Sequence, residues 1–113
     1  MAVKRGELWL ADLSPTRGTE QSGTRPVLIV QTDRANPHSP HTIIIPFTTR
    51  IRSKFLPSHV MVPKGEGGLS QDSVALAEQI RVLDHDRLIH KVGGLSSTRM
   101  QEVDDALRAI LEL

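Results

Sequence analysis

Cysteine is absent from this chain. Its absence excludes disulfides, cysteine zinc sites, iron–sulfur clusters and thiol nucleophiles together. A reducing compartment fits it. Aromatic side chains make up only 3%, namely Trp9, Phe47 and Phe55, so few rings are available for a core and for stacking on bases. No apolar run reaches the roughly 18 residues that a membrane span needs. The opening MAVKRGELWLADL turns acidic and alternating too early for a secretory signal. No G-x-x-x-x-G-K-[ST] phosphate loop occurs; Gly65-x-Gly67-Gly68 reads as a tight turn.

What is present suits one folded domain over residues 1–113, because 113 residues cannot cover two cores. The net charge of +1 hides an asymmetry: positions 1–60 carry eight basic and four acidic side chains, positions 61–113 six and nine. Ten of the fourteen basic residues are arginine, the side chain that grips phosphate at two points. One face is therefore expected to meet a polyanion.

Glu7–Leu13 alternates and reads as a strand. Ser14–Arg25 is polar turn chemistry without periodicity, a long loop of the kind that usually carries function. Pro26 opens a β-branched strand, Val27–Gln31. Thr32–His41 is irregular. Thr42–Thr49 is a strand in which Pro46 demands a bulge or an edge. Arg50–Pro57 is a basic loop and Ser58–Val62 a short strand. Ser73–Ala77 and Gln79–Leu83 read as strand, one bent strand interrupted near Glu78, and Leu88–Val92 is too short to assign. From Ser96 the period changes: Met100, Val103, Leu107, Ile110 and Leu111 form one helical stripe. Ser96 or Ser97 caps it, Gly93-Gly94 ends what precedes it, and no C-cap is visible. The stripe must pack on the sheet or on a second copy. Strands first and one helix last predict a small, partly open β-barrel closed by a helix.

Five histidines raise the question of a two-histidine nuclease or a metal site. His38 and His41 have Pro40 between them and no acid nearby, and His59, His85 and His90 are isolated along the chain. Metal ligation lacks a third residue at sensible spacing.

RGELWLADLSPTRGTEQSGTRPVLIVQ resembles the N-terminal signature of the MazF/PemK toxin family, and the resemblance continues through IPFTT, DSVALAEQIRVLD and the last helix. Its most specific part is G-T-E-Q-x-G-x-R-P, Gly18–Pro26. The resemblance implies an SH3-like open barrel with a C-terminal helix, assembled as a homodimer in the cytoplasm. It implies the toxin of a type II toxin–antitoxin module, held inactive by a MazE-like antitoxin. The activity implied is metal-independent, sequence-selective cleavage of single-stranded RNA, without a cofactor. The products would be a 2′,3′-cyclic phosphate and a 5′-hydroxyl.

On the same resemblance, Arg25 stabilises charge on the phosphate, and proton transfer by it needs a desolvated site. Thr48 matches the catalytic threonine and donates its hydroxyl, although Thr49 beside it would face the other way. Glu20 acts as base or pairs with Arg25. Thr19, Gln21 and Gln79 fall at positions expected near RNA, with Gln21 suited to reading a base edge. Arg50, Arg52 and Lys54 supply cationic wall and Phe55 a stacking ring, whereas Trp9 and Phe47 belong to the core. A different class shares the fold: gyrase-poisoning toxins, which cut nothing and would use the last helix. An inactive RNA-binding barrel is a third reading.

Overall fold

The computed structural model describes residues 2–51 and 56–113. Among them are seven strands and one α-helix: β1 (Glu7–Asp12), β2 (Thr24–Ile29), β3 (His41–Thr48), β4 (His59–Val62), β5 (Ser73–Leu76), β6 (Arg81–Asp84), β7 (Leu88–Gly94) and α1 (Ser97–Leu111). The sheet is antiparallel in the order β4-β5-β3-β2-β1-β7, with β6 pairing β3 off that path, and it does not close. The fold is thus the expected open, mainly β structure with a C-terminal helix.

The unbroken apolar runs of β2 and β3 follow from burial on both faces. Leu28, Ile45 and Phe47 belong to one core cluster with Met100 and Val103 of α1; Val27, Ile29 and Ile44 belong to another with Trp9 and Leu83. Trp9 and Phe47 are core residues, as expected.

Proline placement departs from expectation. Pro26 is the third residue of β2, opposite Leu10, and does not open the strand. Pro46 meets the expectation of an edge only locally, inside a strand that otherwise has partners on both sides. On one side it faces Val27 of β2; on the other, β3 pairs β6 up to Ile44 and β5 from Phe47. The missing N–H thus falls where β3 changes partners.

Between β5 and β6 the chain makes a 3₁₀ turn, Ala77–Gln79, which is the predicted interruption. Leu88–Gly94 resolves as a strand on β1, and Gly93-Gly94 are its last two residues, ending it as expected. Gly93 is needed there, because a Cβ would fall 2.3 Å from the Gly67 carbonyl oxygen.

Ser96 is the N-cap, its hydroxyl accepting from the Arg99 N–H at 3.2 Å. The helix does have a C-cap: Glu112 turns left-handed at φ 56°. Its stripe divides, with Met100 and Val103 buried and Leu107 half-buried while Ile110 and Leu111 are exposed.

Candidate active site

The loop between β1 and β2 is closed at its neck and clamped at its tip. The Leu13 N–H donates to the Gly23 carbonyl at 3.0 Å, and the Gly23 N–H to Ser14 Oγ at 2.9 Å. At the tip, Gln79 Oε1 accepts from the Gln21 N–H at 2.7 Å, and Gln79 Nε2 donates to the Thr19 carbonyl at 3.4 Å. The 3₁₀ turn that breaks the β5–β6 strand is what places Gln79 there.

Arg25 stands on β2 opposite Ala11. Its Nε donates to the Ser22 carbonyl at 2.8 Å, and Nη1 donates to Gln21 Oε1 and, at 3.3 Å, to the Phe47 carbonyl. A guanidinium has five N–H donors. These bonds occupy three, and the two on Nη2 have no partner among the described residues. Thr48 follows Phe47 at the end of β3. Its Oγ1 accepts from the Arg50 N–H at 3.1 Å, which leaves the hydroxyl proton to donate elsewhere.

Arg25 and Thr48 share the wall of an open cleft of about 750 Å³, bordered also by Thr19, Glu20, Gln21 and Gln79. Arg50 and the exposed Thr49 line it too. The predicted site residues within the described chain therefore converge on one cleft. Arg52, Lys54 and Phe55 lie outside the described residues. Glu20 is exposed and makes no ion pair with Arg25; the Gln21 amide holds the guanidinium instead.

His59 and Glu78, which line the same cleft, form a cluster that sequence reasoning missed. Glu78 Oε1 accepts from Ser58 Oγ at 2.8 Å, and Glu78 Oε2 lies 2.9 Å from His59 Nε2. The Leu56 N–H donates to His59 Nδ1 at 3.3 Å, so Nε2 carries the proton that Glu78 accepts. Burial pushes the Glu78 carboxyl up, but the hydrogen bonds from His59, the backbone and Ser58 outweigh it, holding the carboxyl below the usual glutamate range. His59 is not isolated in space. The β4–β5 register pairs it with Leu76, two residues before Glu78. The alternation of SHVMV against SVALAE was the available signal.

Together these elements define a class: a small antiparallel sheet with one packed helix, carrying a polar cleft where a fixed guanidinium and a strand-end hydroxyl present free donors. Residues 4–111 match the family of PemK-like, MazF-like toxins of type II toxin–antitoxin systems. The chain is similar to MazF of Deinococcus radiodurans, with 26% identity and a TM-score of 0.85, covering 100% of this chain and 99% of that one. It is also similar to an endoribonuclease from a mycobacterial species in complex with its cognate antitoxin, with 26% identity and a TM-score of 0.83, covering 99% and 97%. For MazE–MazF of D. radiodurans the identity is 26% and the TM-score 0.79, covering 100% and 98%. The chain belongs to the PemK/MazF-like toxin family. It is a MazF-like toxin of a toxin–antitoxin system.

Proposed function

We propose that this toxin is an endoribonuclease that cuts single-stranded RNA through the strand's own 2′-hydroxyl. The observation that carries the reading is the pair of Arg25 Nη2 N–H groups, without a partner among the described residues, lining one cleft with the Thr48 hydroxyl. The 2′-oxygen attacks phosphorus, a new 2′-O–P bond forms, and the bond from phosphorus to the 5′-oxygen breaks. Arg25 and Thr48 donate to the non-bridging oxygens, where negative charge grows in the transition state. Glu20, the carboxylate of the cleft rim without a partner among the described residues, takes the 2′-hydroxyl proton. The leaving 5′-oxygen receives a proton from solvent in the open cleft. Both Glu78 oxygens are already held, so that residue shapes the wall.

Thr19, Gln21, Arg50 and Gln79 line the path of the RNA in this reading, with Arg50 adding the positive charge that a phosphate chain needs. The whole chain acts as one toxin domain. Exposed Val82, Ile89, Ile110 and Leu111 supply apolar surface for a second copy, so the toxin works as a homodimer. Its antitoxin is a MazE-like protein that covers the cleft. Sedimentation should give a dimer at micromolar concentration.

The deciding experiment incubates a long RNA with purified protein in EDTA and maps the ends by primer extension. Discrete cuts that disappear in Arg25→Ala are expected. Intact RNA, cutting only with added divalent metal, or undiminished cutting by Arg25→Ala would overturn the reading.

A further inference from the structure

Beyond the main cleft lies a smaller one of about 260 Å³, and the two share Arg25, Thr48 and Thr49. The guanidinium and hydroxyl therefore stand on a saddle with a recess on either side. A single strand whose phosphate sits on that saddle can place nucleotides in both recesses. The smaller recess is lined by Leu69, Ser70 and Gln71 of the segment that leads into β5, by Ser73 at the start of β5, and by Pro26 of β2.

We propose that this smaller cleft is a nucleotide subsite on the far side of the cut phosphate, and that Gln71 reads the base held there. The proposal rests on the nuclease reading above. Three features support it. Among the described residues, no acidic side chain lines the smaller cleft, whereas Glu20 and Glu78 line the larger, so it places no carboxylate from them against the strand's phosphates. The Gln71 side chain is exposed and its amide makes no hydrogen bond among the described residues, so both its donor and its acceptor are available. Its backbone is nevertheless fixed. Ser73 Oγ donates to the Gln71 carbonyl at 2.9 Å, and the next residue, Asp72, accepts from the Lys64 N–H at 2.7 Å. Such an amide on an anchored backbone suits base-edge recognition, because only the side chain, and not the backbone, has to be ordered when it binds. The half-buried Pro26 offers apolar surface for the face of the base.

The test digests a random-sequence RNA pool in EDTA with wild type, Gln71→Ala and Gln71→Glu. The cut ends are sequenced, and unchanged thermal melting verifies folding. Gln71→Ala should flatten the base preference at a position on one side of the cut and slow cutting of the favoured sequence about tenfold, with the preference on the other side persisting. Gln71→Glu, which keeps acceptors and loses the donors, should shift that position towards bases offering an N–H donor. If wild type cuts selectively while both variants keep its preferences, or lose them equally on both sides, the subsite is wrong and the nuclease reading stands. If wild type cuts nothing, both fall.

Discussion

Gln79 and Gln21 are 58 residues apart, yet the Gln21 N–H donates to Gln79 Oε1 at 2.7 Å. Gln21 in turn accepts from Arg25 Nη1. The turn between β5 and β6 thus sets the loop that sets the guanidinium. Gln79→Ala should lower kcat/KM for RNA cleavage about tenfold or more, through misplacement of Arg25. Global stability should fall by only about 1 kcal/mol, read from urea unfolding.

Thr48 and Thr49 differ in what holds them. Thr48 is half-buried and bonded to the Arg50 N–H, while Thr49 is exposed. Thr48→Val removes the hydroxyl at nearly constant shape and should slow single-turnover cleavage about 100-fold. The same change at Thr49 should cost less than about threefold, being a surface substitution without a hydrogen bond to lose.

Much of the fold was legible because burial on both faces forces continuous apolar runs. Val27–Gln31 and Thr42–Thr49 announced strands, and the helical stripe from Met100 announced α1. What escaped was long-range. Pro46 is tolerated because β3 exchanges β6 for β5 at that point, and no local pattern shows a change of partner. The meeting of His59 with Glu78 depends on β4–β5 register. In the cleft, Arg25, Thr48 and Gln79 were legible through one specific motif and its continuation. Gln21's grip on Arg25, in the place expected for Glu20, depends on loop geometry alone.

The Glu78 carboxyl titrates below its ordinary value when folded, so it favours the folded state above the ordinary glutamate value of 4.5, and that contribution is lost as pH falls through the lower folded value. Glu78→Gln should therefore flatten the acid limb of stability measured by urea midpoints between pH 7 and pH 3. Glu78→Ala should cost about 1–3 kcal/mol at pH 7, since Ser58 and His59 lose their acceptor.

Ser96 is the helix cap and Ser97 is the first helical residue. Ser96→Ala should lower stability by about 1 kcal/mol, and Ser97→Ala by less than about 0.5 kcal/mol. Thermal melting of both distinguishes them.

The most direct test concerns the nucleophile. An oligoribonucleotide containing a mapped cut site is compared with the same strand carrying one 2′-deoxy sugar on the 5′ side of that phosphate, both in EDTA. The ribose strand should yield a 2′,3′-cyclic phosphate and a 5′-hydroxyl, and the substituted linkage should stay intact. Cleavage of the deoxy linkage at a comparable rate would mean that water, not the neighbouring sugar oxygen, attacks the phosphorus, and would contradict both the 2′-hydroxyl mechanism and the role of Glu20 as its base.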